Sequence, residues 1–262
     1  MGAVSSFLKP LKENIKYRLR WRYLWKDWFL GRHACLGYDV LKHFENLPIE
    51  VNFQKGRADL LMGYWEGSKL FPKSNQLSRA MARHDVLPLI RQLEYFDCLP
   101  KRPPKFILMD SFAELTDQLF SNKEQGWEFC CGYSDLLHTS ELDHQYLSFG
   151  HLPLENLEDA YRKLFNLFNS RWGDVPILFL HFPIALETRD LYIERYTRIS
   201  ESIDSIALTM PNLISIRIDE NLVARPTNVN DELRDFPYHY SPDTYLLFKN
   251  AINHKLNLQA LY

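Results

Sequence analysis

Short apolar runs alternate along the chain with segments whose apolar residues recur every three or four positions. The runs lie at 34–38 (ACLGY), 49–53 (IEVNF), 103–110 (PPKFILMD), 175–183 (VPILFLHFP) and 213–219 (LISIRID). Each has the length of a buried strand. Between them lie helical patterns at 39–46, 75–99, 154–172, 189–208 and 241–256. Leu157, Tyr161, Leu164, Phe165 and Phe168 form one stripe, and Tyr192, Tyr196, Ile199, Ile203 and Ile206 another. Pro88 should kink or divide the segment 75–99, and Ser241 followed by Pro242 opens the last helix. Strands alternating with helices predict parallel βαβ units. The expected fold is therefore α/β, a flavodoxin-like three-layer sandwich around a five-stranded parallel sheet over residues 33–262.

The first 32 residues read differently. Tyr17, Trp21, Leu24, Trp25 and Trp28 recur as one face of a helix, with Gly31 as its cap. Eight Lys or Arg stand there against Glu13 and Asp27, a net +6 on a chain whose total is −2. Residues 1–32 are thus expected to form a basic aromatic amphipathic arm. Such an arm suits peripheral contact with a membrane surface, indoles at the headgroups and cations on anionic lipid. It equally suits packing on its own domain or on a second copy in a homo-oligomer, and packing is the preferred reading. The opening MGAVSS also matches a myristoylation pattern, which short sequences match by chance.

Composition narrows the class. The chain is 46% hydrophobic and 24% charged, ordinary for a protein with a real core. No apolar stretch reaches the ~18 residues of a membrane span, and no signal-peptide core is seen, so a cytoplasmic protein is expected, with the inner membrane surface open to the arm. Cys35, Cys98, Cys130 and Cys131 show no zinc spacing, and no metal or cofactor is expected. No nucleic-acid motif accompanies the small basic arm, so nucleic acid is not an expected partner.

In a doubly wound sheet, ligands bind at the carboxyl ends of the strands. That rule selects Gly37, Tyr38, Asp39, Gly56, Arg57, Asp110, Ser111, His181 and Asp219. The segment 124–153 has weak periodicity and carries His138, His144 and His151, as a substrate loop or lid does. Near the C-terminus Asp235 stands four residues before His239, just ahead of the last helix. A carboxylate beside a histidine orients the imidazole and stabilises its protonated form, the pairing a general base needs. Ser111 is a candidate nucleophile. With Glu114 three residues on, it is also a capping box, the favoured reading.

Here the chain resembles the SGNH, or GDSL-type, hydrolases. DFPYH, Asp235 to His239, resembles the family's last motif, an Asp-x-x-His loop, with one extra residue between the pair. ACLGYDVLKHF, VNFQKGRADLL and KFILMDSFAEL stand in the order of the family's first three blocks. The resemblance implies a backbone N–H of Gly56 in an oxyanion hole, His239 and Asp235 as base and orienter, and an ester or acyl substrate. It is closest in kind to bacterial SGNH-like proteins of polysaccharide biosynthesis, which implies an esterase or O-acyltransferase acting on a carbohydrate. The first block has no serine. Either Ser111 is the nucleophile, or its segment is the third strand and the nucleophile position falls at Tyr38 or Asp39. The second register uses all five strands and is preferred. A protein that binds a glycan or partner without turnover is the alternative function.

Overall fold

The computed structural model describes residues 27–95, 98–227 and 236–256. The arm's residues 1–26, and Asp235, lie outside them. Eight strands are described: β1 (Trp28–Arg32), β2 (Ile49–Asn52), β3 (Ile107–Asp110), β4 (Gln118–Asn122), β5 (Glu128–Cys131), β6 (Tyr146–Gly150), β7 (Ile177–Leu180) and β8 (Leu213–Ile216). Five of them form one parallel sheet in the order β2-β1-β3-β7-β8. With only the strands of this sheet counted, the order is 2-1-3-4-5, the doubly wound arrangement expected.

The helices are α1 (Cys35–Leu41), α2 (Ala58–Glu66), α3 (Ser74–Leu77), α4 (Leu87–Tyr95), α5 (Phe112–Thr116), α6 (Ser140–Gln145), α7 (Leu157–Trp172), α8 (Asp190–Ala207) and α9 (Pro242–Leu256). α2, α7 and α8 pack side by side, and α1 packs against α9. The stripes of α7 and α8 are buried as their spacing required: Leu157, Tyr161, Leu164, Phe165 and Phe168 on one, Tyr196, Ile199, Ile203 and Ile206 on the other. Pro88 falls at the second position of α4, where a helix tolerates it, and the segment before it breaks into α3 and a 3₁₀ turn at His84–Val86.

Two expectations fail. The first strand is Trp28–Arg32, not 34–38, so the arm's helix does not extend through Trp28 to a cap at Gly31. All five residues of β1 are buried. A central parallel strand is apolar on both faces, so Trp28-Phe29-Leu30 carries no alternation, and Trp28 fell into a helical stripe by its spacing alone. Gly31 serves a close approach, because a Cβ there would lie 2.8 Å from the Glu50 carboxylate and 3.1 Å from Asn52. Residues 35–41 then form α1, with Leu36, Gly37 and Val40 buried.

The segment 124–153 is not a long loop either. It supplies α6 together with β5 and β6, the two strands that flank β4 in a three-stranded antiparallel sheet. A second cluster, including Leu77, Met81, Ile90, Phe120, Trp127 and Phe129, fills the space beneath it. β6 leaves Leu147, Ser148 and Phe149 exposed, which erased the alternation a strand normally writes into sequence.

A buried ion pair ties the main sheet together. Arg32, the last residue of β1, donates from Nη2 to Glu114 of α5, from Nε to the Gly56 carbonyl (2.6 Å) and from Nη1 to the Asp110 carbonyl (3.3 Å). Glu114 also accepts from the Ala58 N–H (2.8 Å) and the Tyr161 hydroxyl (2.7 Å). Both side chains are fully buried. Glu114→Ala should therefore cost about 3–5 kcal/mol in urea denaturation, since Arg32 is left charged and unpaired. Arg32→Met combined with Glu114→Leu should cost less than the sum of the single changes. Additive losses would show that the two groups are not coupled.

Candidate functional site

A cleft of 440 Å³ opens at the carboxyl ends of β1, β2 and β3. Ala34 and Cys35 line it after β1, Lys55 after β2, and Phe112, Thr116 and Asp117 after β3. The turn after β5 and the segment ahead of α9, with Phe236, Tyr238 and His239, complete the walls. The place is the one the strand-end rule selected. The residues are mostly others.

His239 does line the cleft. Burial holds its pKa below 6.5, with Asp39 opposing and Lys42 adding to the shift, so it is neutral at pH 7 and able to accept a proton. Its proposed orienter, Asp235, falls outside the described residues.

Ser111 sits at the N-cap position of α5 but is completely buried, makes no side-chain cap bond, and leaves its Oγ without a partner among the described residues. The capping box does not form, because Glu114 turns inward to Arg32. Asp110 caps instead. Its Oδ1 accepts from the Phe112 N–H (3.0 Å), and its Oδ2 accepts from the Ala34 N–H across the sheet (2.7 Å). Burial raises the Asp110 pKa to about 6, against the opposing pull of His33, the two N–H groups and Arg32.

The remaining strand-end candidates face elsewhere. The Gly56 N–H donates to the Phe53 carbonyl at 2.7 Å and so is occupied within its own turn. Arg57 forks onto Asp59 (2.7 and 2.8 Å) and reaches the Gly150 carbonyl (2.9 Å), lining a separate groove between α2 and α7. Gly37 faces the ring of buried His33 so closely that a Cβ would overlap it at 2.3 Å. Tyr38 is exposed on α1, and Asp39 is half-buried beside it around Lys42, whose ammonium pairs with Asp39 (2.6 Å) and stands 4.3 Å from the Tyr38 ring centre. Asp39 does not line the cleft, but its charge acts on Cys35 and His239. His181 is a buried core histidine between Ser215 Oγ (3.1 Å) and Ser200 Oγ (3.3 Å), its pKa pushed well below 6.5 by burial and Arg217.

Cys35 also lines the cleft, beyond the end of β1. It is the first residue of α1, three beyond Arg32, the last residue of β1. Its thiol donates to the Tyr238 carbonyl at 3.5 Å, one residue from His239. Burial raises its pKa, with Asp110 and Asp39 adding to the effect, while the N–H groups of Leu36 and Cys35 pull the other way. At rest it is a protonated thiol. The signal was present in the sequence, as a cysteine at a strand–helix junction, but placing the first strand six residues late hid it. Cys130 and Cys131 are buried in β5, with pKa values raised by that burial, and none of the four cysteines forms a disulfide.

Arg189, at the start of α8, also faces the cleft. Glu187 holds its guanidinium side-on (2.8 and 2.7 Å) and accepts from the Tyr238 hydroxyl (2.7 Å). Burial works against the charge on Glu187, but these donors and the Arg189 N–H bring its pKa down to about 2. Glu187 thus anchors the residue next to His239. His151, from the segment first taken for a loop, lines the same cleft.

Among the described residues no group of three or more His, Cys, Asp or Glu is placed to hold a metal ion, and no helix is long and apolar enough to cross a membrane. In comparisons with known proteins, the chain matches no family model and no curated protein.

The raised Asp110 pKa predicts a pH dependence of folding. Between about pH 4 and 6 the folded state holds this proton more tightly than the unfolded chain, so the group's contribution to stability falls as pH rises through that window. Across it, wild type should lose on the order of 2–3 kcal/mol relative to Asp110→Asn in urea denaturation. A stability difference flat with pH would refute the shift.

Proposed function

We propose that the protein is an acyl-transfer enzyme, an esterase or O-acyltransferase acting on a carbohydrate, and that Cys35 rather than a serine is its nucleophile. The observation that carries the reading is the Cys35 thiol on the Tyr238 carbonyl, in one cleft with neutral His239 next along the chain. The carbohydrate part rests on the resemblance to SGNH-like proteins of polysaccharide biosynthesis. The complete burial of Ser111 favours the cysteine over the serine.

In this reading His239 accepts the thiol proton, and the thiolate attacks the acyl carbonyl of the ester. The tetrahedral intermediate collapses as the ester oxygen leaves with the proton from His239, and a thioester remains on Cys35. Water, or an acceptor hydroxyl deprotonated by His239, then attacks the thioester. The acyl group leaves as an acid or a new ester, and the proton returns to sulfur. Deprotonating a thiol whose pKa is raised needs the base close by, which makes the step depend strongly on His239.

That same raised pKa favours a second reading, a cleft that binds a glycan or protein partner without turnover. Acetate release from p-nitrophenyl acetate and from acetylated hexoses separates the two. Under acyl transfer, Cys35→Ala and His239→Ala each lower the rate by at least about 10²-fold, while Ser111→Ala stays within about twofold of wild type. The rate should fall on the acid side with an apparent pKa below 6.5, where His239 gains its proton. No release from any ester would leave binding without turnover as the function, and release unchanged in Cys35→Ala would remove Cys35 as the nucleophile.

A further inference from the structure

The cleft holds a group of residues that the acyl-transfer chemistry does not use. Tyr133, in the 3₁₀ turn Tyr133–Asp135 after β5, is 55% exposed. Its ring stacks on the His138 imidazole, with centroids 3.8 Å apart and planes at 15°. His138 is held in place through Nε2, 2.8 Å from the Tyr133 carbonyl. Tyr133 lines both the cleft and a smaller apolar pocket behind it, whereas His138 lines only the pocket. The imidazole backs one face of the ring, and Tyr133 stands, more than half exposed, where the cleft and the pocket meet. Such a fixed, flat, apolar face in a polar cleft suits an apolar ring face of a ligand.

Beside it lies a buried donor–acceptor pair. Lys55 Nζ donates to Asp117 Oδ1 (3.0 Å) and to Asp135 Oδ2 (3.4 Å), which leaves one of its three N–H groups unused among the described residues. Asp117 is fully buried, lines the cleft, and has no partner for its other oxygen, Oδ2, among the described residues. Asp135 belongs to the same turn as Tyr133 and also accepts from the Gly132 N–H (2.8 Å), so platform and polar pair are joined rigidly. One spare donor next to one spare acceptor fits a hydroxyl, which both accepts and donates. A carboxylate supplies no donor for Asp117, and any anion would stand against the Asp117 charge.

The charges agree. Lys55 is paired with Asp117 and Asp135, Arg83 with Asp85 (2.6 Å) and Asp135 (3.5 Å), and Arg189 with Glu187 (2.7 Å). Among the described residues each Lys or Arg at the cleft is paired with a carboxylate, so none of them is left over for an anion.

We propose that Tyr133, Lys55 and Asp117 form a subsite for an uncharged pyranose ring. The C–H face of the sugar lies on Tyr133, and one hydroxyl, or an adjacent pair, bridges Lys55 Nζ and Asp117 Oδ2. The choice of sugar among neutral hydroxylated rings rests on the carbohydrate reading above. The binding itself needs no reaction at Cys35.

The test is saturation-transfer NMR and titration of the full chain and of Cys35→Ala with methyl glucoside, methyl galactoside and methyl mannoside, with inorganic phosphate as competitor. At least one hexoside should bind both proteins with a Kd in the millimolar range, with most saturation on the C–H protons of one ring face. Tyr133→Ala should weaken binding about tenfold and Tyr133→Phe should retain it, and phosphate should not compete. Asp117→Asn should also weaken binding. If that buried substitution unfolds the protein, exposed Tyr133 decides alone. The subsite is refuted if no hexoside binds up to about 50 mM, if Tyr133→Ala binds like wild type, or if phosphate displaces the sugar. Ester cleavage through Cys35 without hexoside binding would sink the subsite and keep the acyl-transfer reading. Hexoside binding without cleavage of any ester would do the reverse.

Discussion

The buried pairing of Arg32 with Glu114 is the constraint on which the rest of the architecture depends. Two charges removed from water are costly unless each finds its partner and the remaining donors and acceptors are met. Here they are met by groups from separate elements. The guanidinium reaches the carbonyls of Gly56 and Asp110, and the carboxylate takes the Ala58 N–H and the Tyr161 hydroxyl. The Glu114 carbonyl in turn accepts from Arg195 of α8 (3.1 Å from Nε), which also reaches the Leu152 carbonyl (3.0 Å). One network therefore sets the end of β1, the turn after β2, the end of β3, and the positions of α5, α7 and α8. A shift of any one element would leave a charge or a polar group unmatched in the interior.

That network also decides how the cleft is built. Glu114 faces inward, so it cannot close a capping box with Ser111, and Asp110 takes over as the cap. Its two oxygens bind the chain on either side of the β1–β3 crevice, at Ala34 and at Phe112. Holding Ala34 places Cys35 at the start of α1, against the backbone of Tyr238. Glu187 anchors Tyr238 from the other side. Cys35 and His239, about 200 residues apart in sequence, thus share one cleft through a carboxylate on each flank. The small antiparallel sheet contributes the opposite wall, where Lys55, beyond the end of β2, bonds both Asp135 in the turn after β5 and Asp117 just ahead of β4.

Parts of this were legible in the sequence for plain reasons. The stripes of α7 and α8 are long and strictly periodic, and a helix longer than four turns leaves little ambiguity. The run at β7 is apolar throughout and buried on both faces, and those at β3 and β8 are apolar but for Asp110 and Ser215. His239 stood out by its place ahead of a capped final helix. The misreadings share one cause. Trp28-Phe29-Leu30 and Ala34 to Tyr38 are short apolar runs, and over four or five residues a buried strand and a buried helical turn have the same pattern. Choosing the wrong one moved the strand end past Cys35 and drew attention to Gly37, Tyr38 and Asp39. The strands of the small sheet were missed because β6 exposes both kinds of residue on a sheet edge.

The amino-acid order alone settled the fold class and the end of the sheet at which polar side chains gather, because periodicity and strand–helix alternation are local properties that survive without neighbours. It did not settle which side chains face that end. Ser111 and Glu114 had the spacing of a cap, yet a buried arginine from β1 outcompeted the backbone N–H for the carboxylate. Gly56 had the position of a donor, yet its N–H closed its own turn. Tyr133, Lys55 and Asp117 carry no motif, and only the pairing of two sheets brings them together. Side-chain direction in the interior follows from which charges must be neutralised there, and that is a property of the assembled structure.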